Sequence, residues 1–88
     1  MLFSVIKKVL LQQHHFNTGK VRHYVLGSIA PDPKELRIVS YQNDPGYYLL
    51  YIDAKGKEIT DTYHDTIEAA IKQAEFEFNV QKNEWELV

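Results

Sequence analysis

DPGYYLLYIDAKGKEITDTYHDTIEAAIKQAEFEFN, residues 44–79, reads in one pass as turn, strand, tight turn, strand and capped helix. In Asn43-Asp44-Pro45-Gly46, proline presets φ and glycine accepts the positive φ that a type II turn requires. Tyr47 to Ile52 follows without a polar residue, setting Tyr47, Leu49 and Tyr51 on one face against Tyr48, Leu50 and Ile52 on the other. A strand with no wet face belongs in the middle of a sheet. Asp53-Ala54-Lys55-Gly56 turns the chain, with Gly56 suited to a left-handed hairpin position. Glu58 to Tyr63 returns, with Ile59, Asp61 and Tyr63 alternating onto one face.

A helix is expected over Asp65–Asn79. Asp65 can accept from the first-turn amides and Glu68 can reach back, an aspartate form of the capping box. Ile67, Ala70, Ile71, Ala74 and Phe78 make one apolar stripe, and Asn79 is a left-handed stop. Phe76 falls nearly opposite the stripe and needs another cover, for which Trp85 and Leu87 in the tail are candidates.

Working outward, Leu2 to Leu11 fits helical spacing through Leu2, Val5, Ile6, Val9 and Leu10. It fits alternation through Phe3, Val5, Val9 and Leu11, with Lys7 as the exception. Its β-branched content favours a strand. Val21 to Leu26 alternates as a strand, Pro31-Asp32-Pro33 halts pairing because neither proline donates to a ladder, and Leu36 to Tyr41 resumes it. The fold class is therefore α+β: an antiparallel sheet of four to five strands with one C-terminal helix packed on one face, in a single domain over residues 1–88.

The 88 residues carry a net charge of −2 and no cysteine. The near-neutral balance implies no global attraction to nucleic acid or anionic membrane. Lack of cysteine removes disulfides, zinc–thiolate sites and thiol catalysis, and fits a reducing, cytoplasmic setting. Lys7 and Lys8 interrupt the only stretch resembling a secretory core, and no segment approaches the ~20 apolar residues of a membrane span. Residues 1–44 are net +3 and residues 45–88 net −5, a dipolar distribution suited to electrostatic docking.

Asp44-Pro45-Gly46-Tyr47-Tyr48-Leu49-Leu50-Tyr51-Ile52-Asp53, Asp61-Thr62-Tyr63-His64-Asp65-Thr66, Gln73-Ala74-Glu75-Phe76-Glu77-Phe78 and the Glu84-Trp85 pair together resemble a group of small bacterial proteins of unassigned activity. The resemblance covers roughly half the chain. It implies a bacterial cytosolic protein of unknown function, transfers no functional residue and implies nothing about chemistry.

His64 lies between Asp61 and Asp65, and a histidine oriented by a carboxylate is how general bases are built. No nucleophile or second acid is tied to it by spacing, and a side chain just before a helix cap commonly staples the turn. His14, His15, His23 and His64 lack metal-ligand spacing, and an extended His14-His15 pair points its rings apart. Gly19, Gly27, Gly46 and Gly56 are isolated, so there is no phosphate loop. The sequence assigns no catalytic residue, metal or cofactor.

The remaining candidates are binding residues. Arg22, Tyr24, Arg37, Tyr41 and Tyr48, with Tyr47 and Tyr51 as alternatives to Tyr48, are expected to share a sheet face left uncovered by the single helix. An open aromatic face suits a non-enzymatic protein-interaction or regulatory module, with a protein partner or a second copy as its ligand. A second reading is single-stranded nucleic-acid binding through Lys20, Arg22, Arg37 and nearby tyrosines, though the aromatic strings of sheet-type RNA binders are missing. A third is a small enzyme using His64. The helix stripe makes a direct prediction: Ile71→Asp places an unpaired charge in the core and abolishes the cooperative thermal melt, whereas an unchanged melt would overturn the helix orientation.

Overall fold

The computed structural model describes residues 3–88. Among the described residues seven strands are formed: β1 (Phe3–Leu10), β2 (Tyr24–Val25), β3 (Ser28–Ile29), β4 (Glu35–Tyr41), β5 (Tyr47–Ile52), β6 (Glu58–His64) and β7 (Glu86–Leu87). The helix α1 spans Ile67–Phe78, and a short 3-10 turn covers Lys82–Glu84. Five strands make one antiparallel sheet in the order β6-β5-β4-β1-β7, while β2 and β3 pair only with each other. The architecture is α+β, with α1 against one face of the sheet.

β5 is an interior strand, paired on both sides by β6 and β4, and β6 returns through a turn whose Gly56 has φ of 81°. Asp53 holds that turn by accepting from the amides of Lys55 and Lys57. The N-terminal segment is a strand, as its β-branched residues favour; Leu2 lies outside the described residues. Being a sheet member, it does not cover either face.

On the helix side Val9, Leu36, Ile38, Leu49 and Tyr51 pack with Ala70, Ile71, Ala74 and Phe78, joined by Val80 and Trp85 from the tail. On the other side Val39, Leu50 and Ile52 form a second cluster, flanked by Val5, Tyr41 and Tyr48.

Several expectations are corrected. Val21 to Leu26 is not a strand of the main sheet: only Tyr24 and Val25 pair, with Ile29 and Ser28, in a separate hairpin. Leu26 and Gly27 both take positive φ there and reverse the chain before a longer ladder can form. The alternation in β1 is broken by a bulge between Val5 and Lys7, which leaves Phe3 and Val5 on the open face and moves Val9 into the helix-side core. A second irregularity, between Tyr51 and Ile52, leaves Ile59 unpaired, so Ile59 does not share a face with Asp61 and Tyr63.

The Pro45-Gly46 turn also differs. The positive φ falls on Asn43, at 67°, not on Gly46. Gly46 instead leaves room for the Tyr63 ring, whose tip would have to shift to admit a Cβ there. The tail leaves Phe76 uncovered: Trp85 enters the main core, Leu87 is exposed, and Lys20 lies over the Phe76 ring at 5.0 Å.

The helix cap is Thr66, one residue later than Asp65, with its hydroxyl accepting from the Ala69 amide at 3.0 Å. Asn79 closes the other end with φ of 59°, as expected. Thr66→Ala should therefore cost about 1 kcal/mol in chemical denaturation, and Asp65→Ala clearly less. Equal losses would return the cap to Asp65.

Candidate functional site

Strand register arranges the open face in rows. Leu10, Glu35, Ile52 and Glu58 form the first, and Lys8, Arg37, Leu50 and Asp61 the second. Val5, Val39, Tyr48 and Tyr63 form the third, with Phe3 and Tyr41 beyond them. An aromatic ladder crosses the strands there. Phe3 and Tyr41 have ring centroids 5.7 Å apart, and Tyr41–Tyr48 and Tyr48–Tyr63 stack edge-to-face at 5.1 Å. Tyr41 and Tyr48, with Val5, pack over Val39, Leu50 and Ile52, while Phe3, Leu10 and Tyr63 remain about half exposed.

The face is acidic. Glu35, Glu58, Asp61 and, beside Lys8, Glu86 outnumber Lys8 and Arg37. Arg37 is paired with Glu35 at 2.6 Å, a contact that raises its pKa. The Tyr41 hydroxyl is pushed up by burial and by Glu58 and Asp61. The Tyr48 hydroxyl is pushed up chiefly because it donates to Asp44 at 2.8 Å.

Of the residues expected to share this face, Arg37, Tyr41 and Tyr48 do so. Tyr47 and Tyr51 lie on the helix side. Arg22 and Tyr24 do not belong to the main sheet: Arg22 lines a pocket beneath the 17–33 segment, and Tyr24 is exposed on the β2–β3 hairpin. Lys20 is likewise remote, stacked on Phe76.

Two polar clusters escaped sequence reading. The first centres on Glu77, which is 2% exposed on the buried side of α1. It accepts from the Tyr51 hydroxyl, from His23 Nε2 at 2.7 Å and from Gln73 Nε2 at 2.7 Å. Burial first, and this bond second, hold the Tyr51 hydroxyl far above the usual phenol range. The signal was present: positions 70, 74, 77 and 78 share one helix face, so a carboxylate at 77 sits on the apolar stripe. His64 is bonded through Nε2 to the Thr62 hydroxyl at 2.8 Å, not to Asp61 or Asp65, and burial lowers its pKa.

The second cluster joins His14, His15 and Glu84. The two rings are 4.0 Å apart and converge on Glu84 Oε2, at 2.5 Å from His14 Nε2 and 3.0 Å from His15 Nε2. The segment is not extended; it turns so that the His15 amide donates to the Gln12 carbonyl. The spacing of the three ligand atoms suits a metal, but the proton arrangement does not. His15 Nδ1 accepts from the Gln12 amide at 2.8 Å, which leaves the proton of the neutral ring on Nε2. That nitrogen donates to Glu84 and has no lone pair for an ion. The trio is a clasp fastening the turn after β1 to the 3-10 turn before β7.

No family model, no curated protein and no solved structure matches this chain.

The Glu84 carboxyl is pushed down to about 2 by the Gln81 amide first and then by His14 and His15. A depressed carboxylate stabilises the fold above its ordinary value of 4.5 and ceases to do so as pH falls toward 2. Glu84→Gln should thus lower the thermal midpoint at pH 7 and flatten its decline across that window. Parallel curves for the two proteins would show that the clasp contributes no stability.

Proposed function

We propose that this protein is a non-enzymatic interaction module whose open sheet face docks a basic partner protein. The carrying observation is the aromatic ladder Phe3–Tyr41–Tyr48–Tyr63, set among the carboxylates Glu35, Asp44, Glu58 and Asp61 with no helix over it. Edge-exposed aromatic rings beside acidic groups favour a surface combining apolar or aromatic anchors with lysine or arginine. Net negative charge on the face disfavours nucleic acid and disfavours two copies meeting face to face. The nucleic-acid reading also loses its cations here, since Arg22 and Lys20 are elsewhere and Arg37 is paired. The His64 enzyme reading loses its carboxylate orienter to Thr62. Lack of cysteine supports a cytoplasmic setting for this role.

The test is capture from nuclease-treated host lysate with the wild-type chain, an Asp61→Lys/Tyr63→Ser variant and a control altered only at Arg22. Both open-face positions are on the edge strand and exposed, so the variant should fold. The expected result is a stoichiometric basic protein retained by wild type and control, released as salt rises, and lost with the double variant. Equal capture by all three, or none after nuclease treatment, would sink the proposal.

A further inference from the structure

The pocket beneath the 17–33 segment is unrelated to the open face. It lies on the helix side, with a volume of about 240 Å³, between the 17–33 segment, β5, the start of β6 and the end of α1. Its apolar wall includes Val21, Ile29, Ile59 and Phe78, and Tyr51 and His23 also line it. The latter two rings are 4.5 Å apart, and both are anchored from behind by Glu77. A buried carboxylate with three donors locks those side chains, so this part of the lining is already set before any ligand arrives. The bulge in β6 is what sends Ile59 into this space.

Two charged residues line the same pocket: Arg22 and Asp32. They form no ion pair with each other, and among the described residues Arg22 has no acidic partner. Asp32 accepts one hydrogen bond, from Asn17 Nδ2 to its Oδ1 at 2.9 Å, which leaves Oδ2 free. An exposed cation and an exposed anion that line one small pocket without neutralising each other are complementary to a ligand that carries both charges. The volume falls below the roughly 300 Å³ at which pockets for drug-sized molecules begin, so the ligand must be small.

We propose that this pocket binds a free α-amino acid with a branched apolar side chain. Its carboxylate meets Arg22, its ammonium meets Asp32, and its side chain lies against Ile29, Ile59 and Phe78. A guanidinium presents a fork matched to a carboxylate, and an ammonium requires only an acceptor, so the two polar ends fix the ligand's direction. A peptide terminus supplies only one of the two charges and binds less well.

The experiment is an amide NMR titration of the full chain with L-leucine, N-acetyl-L-leucine (no ammonium) and isopentylamine (no carboxylate). Leucine should give saturable shifts at Arg22, His23, Ile29, Asp32, Ile59 and Thr60, while amides of Tyr41 and Tyr63 on the open face stay in place. The two single-charge analogues should each bind about tenfold more weakly, the factor expected when one modest polar interaction is lost. Arg22→Gln and Asp32→Asn, both at exposed positions, should weaken leucine by a similar factor with the rest of the spectrum unchanged. No saturable shift up to ~10 mM, or equal binding of leucine and N-acetyl-leucine, overturns the proposal. Either outcome leaves the open-face reading unaffected, because the two sites share no residue.

Discussion

Glu77 is the point on which the helix side of the molecule turns. A carboxylate buried there would be prohibitive alone, since an ionised group removed from water costs several kcal/mol unless its oxygens are hydrogen-bonded. Tyr51 from β5, His23 from the 17–33 segment and Gln73 from the preceding helical turn supply the bonds. The Glu77 carbonyl also accepts from the Thr18 amide at 2.8 Å, and the Phe78 carbonyl from the Phe16 amide. The last turn of the helix, with Glu77 at its centre, thus fastens a long irregular segment that has almost no ladder of its own. The helix could not rotate to bury a better apolar stripe without stranding that charge.

The two faces of the sheet then follow different rules. On the helix side, apolar packing is completed from a distance, by Val80 and Trp85 arriving after the helix and by Val9 after the β1 bulge. On the open face, large side chains cover smaller ones within the sheet itself. Tyr41, Tyr48 and Val5 enclose Val39, Leu50 and Ile52, so the β-branched and leucine core is dry although no second layer exists. What is left at the rim is aromatic and acidic. Gly46 belongs to this design: its missing side chain gives Tyr63 room to continue the ladder to the edge strand.

The C-terminal half was legible because its signals are local. An unbroken apolar run, a glycine hairpin and a 3.6-residue stripe each act over a few residues, and they located β5, β6 and α1 almost to their ends. What was not legible depended on partners far along the chain. His14 and His15 are 70 and 69 residues from Glu84, and His23 is 54 from Glu77. The bulges were hidden for a related reason: one extra residue reverses every later side chain, and nothing in the composition of β1 or β6 announces it. Arg22 and Tyr24 were misplaced because six alternating residues resemble a strand, while the reversal at Leu26-Gly27 and the prolines at 31 and 33 left them no sheet neighbour.

The strand order carries a consequence for how the molecule is assembled in time. β4, β5 and β6 are joined by short hairpins and can pair quickly, with α1 following directly onto them. β1 must wait for closure across the 17–33 segment, and β7 can dock only on β1, with Leu87 pairing Lys7 and Glu86 pairing Lys8. Contacts between such distant residues raise the contact order and come late in folding. Those of β7 are the weakest held, since β7 contributes only two residues at the sheet edge and is anchored by the partly exposed Glu84 clasp. In hydrogen exchange the amides of β5 should report global unfolding, while those near Glu86 and Leu87 report a smaller, separate event at the sheet edge.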